Sequence, residues 1–338
     1  MASPPPIDVV IPVYNAPEAT RTCIESLYAH AAAQLGTVNV HDNASDPVTA
    51  GMLDALRRPR LAVVHASTNT GFGDAVNQAM ARCRSELVLV LNSDTRADDD
   101  FIAPLRAAME ADPRLAAVTA AGNTFGSYDL ARYRKRAGCV VTHNLYAYAF
   151  LIRREAFRHV GGFDRAYGLG FYEDSELSRR LIASGWWIGI QPASTLYHEI
   201  HGSFQHNPSM RDLMQRNRGI YYERFPDARR RILLVSAEGR LEALPRPLVD
   251  ELHHALERGG EVDWLARSRP DELLSLTMRG ESYSSVRALR QWYKRRNHPF
   301  KRVTDLWLVA GAPWSAVELA RLGPRQGVRV RTFARNGD

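Results

Sequence analysis

Four short apolar runs, each rich in β-branched residues and each ending in a polar turn, constrain this chain more than any other feature. They are IDVVIPV (7–13), VNVHDNAS (38–45), LAVVHAS (61–67) and ELVLVLNSD (86–94). IDVVIPV, with little polar alternation, reads as a parallel strand covered on both faces, and the other runs repeat its strand-then-turn pattern. Parallel neighbours need crossovers, and helical stretches such as Ala16 to Ala33 lie between the runs. The pattern predicts a doubly wound α/β sheet. Ligands of such sheets bind beyond the carboxyl ends of the strands, where Asn15, Asp42, Asn43, Asn69 and Asp94 all fall.

A chain of 338 residues, 45% hydrophobic and 24% charged, excludes collagen, coiled coil and disorder, and its length predicts two domains. The formal net charge is +7, and with only Lys135, Lys294 and Lys301 as lysines the positive charge is nearly all arginine. Arginine suits bidentate contacts to phosphate and carboxylate. Spread over a whole chain, so small an excess does not call for nucleic acid. Cys23, Cys83 and Cys139 lie far apart with no CxxC pair, so neither a zinc cluster nor a disulfide framework is expected. The start MASPPP lacks the basic and apolar regions of a signal peptide, and no window has the continuous apolar length of a spanning helix. The expected location is cytoplasmic, with membrane contact at most peripheral.

Between Thr119 and Tyr148 the pattern loosens into an expected loop-rich insertion carrying Arg132, Arg134, Lys135 and Arg136. A compact unit follows from Phe150 to Asp227. The boundary is expected at Arg231, giving domains 1–231 and 232–338. In the second, ILLVSAEG, VDWLA, DLWLVAG and VRVRTFA predict strands. Helices are expected near Pro247 to Glu257 and in a long region reaching Asn297. Gly239 stands without a GxGxxG or P-loop pattern, so this small α/β domain carries no nucleotide signature.

The motifs IPVYN, DNAS, NTGFGDAVN, LNSDT, GGFD, EDSELSRR and HEIHGS, in that order, resemble those of a family 2 glycosyltransferase of the GT-A fold, closest to the branch containing rhamnosyltransferases. The resemblance covers residues 7–225. It implies a mixed sheet with a Rossmann-like nucleotide-binding half and an acceptor half, and inverting transfer from a nucleotide-diphosphate sugar to a hydroxyl of a glycan or lipid-linked glycan of cell-surface type. A divalent cation, Mn or Mg, is implied as cofactor.

A sugar nucleotide presents base N–H donors, vicinal ribose hydroxyls and a diphosphate, so its site needs acceptors, close backbone and a cation. Asp42 can accept from a base N–H, although DNAS is also good turn and cap chemistry. Gly71 and Gly73 permit close backbone approach at a helix start whose N–H groups favour phosphate. Asp74 places a charge there, so it either points away or caps the helix. The donor contacts the resemblance implies are Pro12, Val13, Asn15, Asp42, Asn43, Asn69, Gly71, Phe72, Asn77, Asn92 and Ser93. LNSDT stands at the family's DxD-like motif, with Asn92 for its first acid. Asp94 is thereby the implied metal ligand, joined by His198, with His201 competing. A hard cation there would take oxygen ligands and act as Lewis acid for the departing nucleotide.

Inverting transfer needs a carboxylate to take the acceptor's proton, and Asp174 is that base by resemblance. A helix start is expected to keep it ionised. Glu176 stands where the family often has aspartate. Tyr172, Glu173, Arg180 and Trp186 are expected on the acceptor side, with Tyr167 and Phe171 as further aromatic surfaces for sugar rings. Arg216 and Arg218 resemble the family's late basic helix, serving an anionic acceptor or donor phosphates, or simply a solvated face.

Two other readings remain. A nucleotidyltransferase of the same fold would want a lysine near the first strand, and IPVYNAPEA has none. A non-catalytic scaffold would recruit a partner through Arg287, Arg290, Lys294, Arg295 and Arg296, a cluster that also suits an anionic membrane. The expected donor carries UDP or dTDP ahead of GDP. No nucleic acid partner is expected, and a homo-oligomer is compatible with the sequence.

Overall fold

The computed structural model describes residues 5–199, 208–294 and 302–334; His201 lies outside them. The chain divides into two compact units. The first comprises residues up to Asp129, Lys135–Val140 and Asn144–Gly219. The second takes Leu130–Arg134, Val141–His143 and everything from Ile220 onward.

In chain order the first stretch runs β1 (Ile7–Val13), α1 (Pro17–Ala31), β2 (Leu35–Asp42), α2 (Pro47–Ala55), β3 (Leu61–His65), α3 (Phe72–Met80), β4 (Leu87–Leu91) and β5 (Thr95–Arg96). It continues with α4 (Ile102–Ala111), β6 (Leu115–Gly122), β7 (Lys135–Arg136), β8 (Cys139–Thr142), β9 (Ala149–Arg153), α5 (Arg154–His159), α6 (Glu173–Ala183), β10 (Trp187–His198) and α7 (Pro208–Arg224). The sheet order is β3-β2-β1-β4-β9-β6-β10-β8-β7, with β5 pairing β10. β3, β2, β1 and β4 are mutually parallel, and β6 is parallel to β10. The reversed β9 lies between β4 and β6, antiparallel to both. The carboxyl ends of β1 to β4, β6 and β10 therefore reach one edge.

The apolar runs explain the core. Val10, Val88, Val90, Ala117, Phe150, Ile152 and Ile188 are buried on one sheet face, with Val76, Ala79 and Met80 of α3 and Leu177 and Leu181 of α6 against them. Each such large side chain contributes about 1.5–3 kcal/mol relative to exposure. The expected insertion is shorter than its sequence suggested. β6 runs on to Gly122 and β8 starts at Cys139, because the small residues of LAAVTAAG fill a fully covered strand with little side chain to mark it.

The second unit continues β11 (Arg231–Ser236), α8 (Arg246–Glu257), β12 (Glu261–Ala266), β13 (Met278–Ser282), α9 (Ser285–Lys294), β14 (Asp305–Val309), α10 (Trp314–Leu322) and β15 (Arg329–Phe333). Its sheet, β13-β12-β11-β14-β15, is parallel throughout. The long helix expected up to Asn297 is thus a strand followed by a helix. MRGES alternates buried and exposed positions, a period of two that suits a strand pairing with β12. Alternate strand residues Leu233, Val235, Leu265, Leu306 and Leu308 share a core with Ala288 and Trp292 of α9 and Ala316 and Leu319 of α10. Those two helices cover one face of the sheet. Among the described residues no helix is long and apolar enough to cross a membrane.

Candidate active site

At the carboxyl edge, Val13 and Asp42 are register partners, as are Asp42 and His65. Asp42 is buried and both its oxygens are engaged. Oδ1 accepts from Ser45 N at 3.0 Å, and Oδ2 lies 2.6 Å from His65 Nδ1. The hydrogen bond to Asp42 holds the His65 imidazole above its usual pKa, burial opposing, and Asp54 Oδ1 adds a second contact at 3.1 Å. The cap of α2 is Asp46, not Asp42. Asn15, with a left-handed φ of 58°, receives Asp46 N on Oδ1 at 2.9 Å and donates its own N–H to Ser45 Oγ at 2.8 Å. Half-buried Pro12 and buried Val13 end β1, and Val13 O accepts from Asn43 N.

The Asn43 side chain ties this edge to the glycine loop, donating to Asn69 Oδ1 at 2.8 Å and accepting from Thr70 N at 3.0 Å. Gly71 is required twice over. Its φ is 87°, and a Cβ would fall 2.1 Å from Gly168 O. The donor-side loop and the loop ahead of α6 meet there backbone to backbone. Phe72 packs edge-on against buried Phe163, so its ring is part of the core margin. Both ends of the Asn77 amide are taken by Phe163, Nδ2 donating to its O and Oδ1 accepting from its N. Asp74 points away from any phosphate position, toward Arg165 Nε at 2.6 Å and Gln78 Nε2 at 3.0 Å.

Asn92, Ser93 and Asp94 follow β4 directly. Asn92 N donates to Tyr148 O, and the Tyr148 ring stacks on His198 with centroids 4.8 Å apart. His198 ends β10, pairs with Thr95 of β5, and exchanges two hydrogen bonds of 2.8 Å with the Asn123 side chain. Its Nε2 lies 3.3 Å from Asp94 Oδ1. Asn92 Oδ1, Asp94 Oδ1 and His198 Nδ1 are all buried without a hydrogen-bond partner. The donors that could hold Mn or Mg are Asp94 Oδ1, the His198 Nε2 opposite it and Asn92 Oδ1, while the unpartnered His198 Nδ1 lies on the other side of the ring. Among the described residues no group of three His, Cys, Asp or Glu could hold a metal alone.

Glu173 and Asp174 open α6 behind two consecutive left-handed residues, Phe171 (φ 70°) and Tyr172 (φ 71°). Burial outweighs the helix terminus here. It raises the Asp174 carboxyl above its usual range despite the hydrogen bond from Ser175 N at 2.6 Å. Burial, then the Asp174 charge, pushes Glu173 up to about 8, and Glu173 Oε2 is a buried atom without a partner. Both carboxyls are thus raised by burial, and they titrate as a pair.

Two residues expected on the acceptor side are not brought to it. Trp186 precedes β10, whose far end carries His198, so it sits at the opposite edge of the sheet and packs on the core. The Arg180 guanidinium is spent on fully buried Glu176, with Nε to Oε1 at 2.8 Å, on Gly162 O at 2.7 Å and on Val160 O. Tyr167 is likewise core, fully buried. Arg216 donates to Ala166 O at 2.9 Å. Sequence reasoning passed over Asn217, which is completely buried. Its Nδ2 reaches Tyr167 O at 2.7 Å, Gly170 O at 2.6 Å and Phe171 O at 3.2 Å. It also passed over His65, whose only signal was its register opposite Asp42.

A parallel nucleotide half, a reversed strand and a polar carboxyl edge bearing Asp94 and His198 together define a GT-A glycosyltransferase. Residues 8–175 match the model of glycosyl transferase family 2, and this chain belongs to that family. No protein of curated function matches the sequence. Solved structures of the same fold include a mannosyltransferase from Pyrobaculum calidifontis in complex with GDP-Man and Mn2+, at 20% identity and TM-score 0.53 over 65% of this chain and 64% of that one. GalNAc-T7 with UDP, GalNAc and Mn2+ has 14% identity and TM-score 0.54 over 66% of this chain and 49% of its own. S. aureus TarS 1-349 with UDP-GlcNAc has 17% identity and TM-score 0.50, covering 66% and 70%. The chain thus spans under two thirds of the first two, and at these identities the likeness is one of fold.

Proposed function

We propose that this glycosyltransferase works with inversion and with a divalent cation, moving a sugar from a nucleotide-diphosphate donor to a hydroxyl of a glycan or lipid-linked glycan. The observation that carries this reading is the meeting of Asp94 and His198, 104 positions apart in sequence and 3.3 Å apart in space, with Asp94 two positions after Asn92 and its unpartnered Oδ1. Asp94 and His198, with Asn92 near them, would hold Mn or Mg, which when bound supplies Lewis-acid stabilisation of the diphosphate. Asp174 takes the acceptor's hydroxyl proton as that oxygen bonds to the anomeric carbon. The bond from that carbon to the β-phosphate oxygen breaks, and the nucleoside diphosphate leaves with the electron pair. Protonated Glu173 donates a hydrogen bond on the acceptor side, next to Tyr172. Asn15, Asp42, Asn69, Gly71 and Ser93 line the donor side, while Asn43 and Asn77 hold its loops. UDP or dTDP is the favoured carrier.

The test is nucleotide release over a panel of UDP, dTDP and GDP sugars with Mn2+, paired with thermal shifts by the free nucleotides. Asp174→Asn should lower turnover about 10²- to 10⁴-fold while the nucleotide-induced shift survives. Full activity of that variant removes Asp174 as base, and no release from any donor removes the transferase reading.

A further inference from the structure

We infer that the outward face of α9 and α10 is a docking surface for an anionic lipid bilayer. On α9, Ala288 and Trp292 point into the core of the second unit. Val286, Leu289 and Tyr293, at i, i+3 and i+7, form a separate stripe that faces solvent; Val286 is 76% exposed. On the neighbouring α10, Ala316 and Leu319 are buried while Trp314, 76% exposed, and Val317 face outward. Hydrogen bonds between Ser315 Oγ and both Ser285 Oγ (2.9 Å) and Tyr283 Oη (2.8 Å) fasten the two helices' amino ends together. An indole with three quarters of its surface in water, beside exposed valine, leucine and tyrosine, is not the packing of a folded core.

Charge selects the occupant. Residues 285–325 contain nine Lys+Arg and two Asp+Glu, a net +7 equal to that of the entire chain, so everything outside this segment sums to zero. On α9 the exposed Arg287 and Arg290 flank the apolar stripe. A basic rim beside an apolar stripe with aromatic residues is the surface of a helix lying in the plane of an anionic membrane. A second copy of this chain is disfavoured, because a two-fold contact would set one positive segment against another. Nucleic acid would use the arginines and leave Val286, Leu289 and Val317 without a partner. The inference stands independently of the transfer reaction, since none of these residues belongs to the catalytic edge.

The experiment is co-sedimentation of the full chain with vesicles of phosphatidylcholine alone and of an equal mixture with phosphatidylglycerol. Wild type should pellet with the mixture, far less with phosphatidylcholine alone, and less as salt rises. The double variant Val286→Ser, Trp314→Ser should weaken the association about tenfold or more. Arg290→Glu should weaken it about tenfold through charge alone. Both variants should keep the wild-type thermal midpoint and nucleotide release, because the altered side chains are exposed. Equal pelleting of wild type and double variant overturns the inference, as does equal binding to both vesicle types. A wild-type dimer that the double variant abolishes in sedimentation velocity overturns it in favour of a second copy.

Discussion

Replacing Asn217 with alanine should loosen the loop that presents the catalytic carboxylates. The Nδ2 group has two hydrogens and three carbonyl oxygens within 3.2 Å, those of Tyr167, Gly170 and Phe171. The site is wholly buried, so water does not replace the lost donor. Leaving two buried carbonyls short costs about 1–3 kcal/mol each, for a loss of about 2–4 kcal/mol after relaxation. Relaxation has its own consequence. Phe171 and Tyr172, both left-handed without being glycine, hold about 1–3 kcal/mol of strain apiece, which persists only while the surroundings enforce it. Once the clamp is gone the pair unwinds toward ordinary dihedrals, and the start of α6 moves with it. Urea unfolding should register the loss of stability, and turnover at saturating donor should fall more than donor affinity does. Asn217→Asp, nearly the same shape, should be at least as damaging because it turns an oxygen toward three carbonyl oxygens. A loss below about 0.5 kcal/mol with unchanged turnover would refute the reasoning.

Glu173→Gln should flatten the dependence of stability on pH. The Glu173 pKa is raised from 4.5 to about 8 by burial and the Asp174 charge, so the folded chain holds a proton that the unfolded chain has released. The Glu173 contribution is full below about 4.5 and is lost as pH rises to about 8, by up to about 1.4 kcal/mol per unit; identical slopes for wild type and variant in that window count against it. Arg180→Met should cost about 3–5 kcal/mol by removing the cation paired with the buried Glu176 carboxylate, and adding Glu176→Leu should recover most of it in thermal unfolding. If Arg180→Met instead keeps full stability and raises only the acceptor KM, Arg180 belongs to the acceptor site.

β1, β3 and β4 were legible through runs rich in Val, Ile and Leu, and β2, where Val38 and Val40 alternate with Asn39 and His41, through its repeat of the strand-then-turn pattern. β6 was partly lost in an expected loop, since LAAVTAAG buries seven of eight positions using mostly alanine. β13 was lost to an expected helix, since its burial alternates over only five residues and two of the five are glycine and serine. Both strands exist through pairing with neighbours distant in sequence, which single-chain periodicity does not carry. The same limit applies to Glu173 and Asp174. A helix start argues for ionised carboxylates, and only the packing of the loop before α6 reveals that burial raises both.

Side chains that hold loops and side chains that touch a ligand share one chemistry, so the sequence alone does not tell them apart. Asn77, Arg180 and Asn217 are polar, lie near motif positions and are equally suited to a sugar or a backbone. Asn77 is spent on Phe163, 86 positions on; Arg180 on Gly162 and Glu176; Asn217 on Gly170 and Phe171. All three converge on the segment from Gly162 to Tyr172. Asp94, His198 and Asn92 each keep a buried atom without a hydrogen-bond partner, but so does Asn217 at Oδ1, so one such atom does not by itself mark a ligand site. Polar capacity left unspent in a buried place costs about 1–3 kcal/mol per group, and it persists where a bound partner repays it. What sets Asn92, Asp94 and His198 apart is that three such atoms belong to residues gathered where β4 and β10 end, whereas Asn217 has one, on a side chain already tied to three carbonyls.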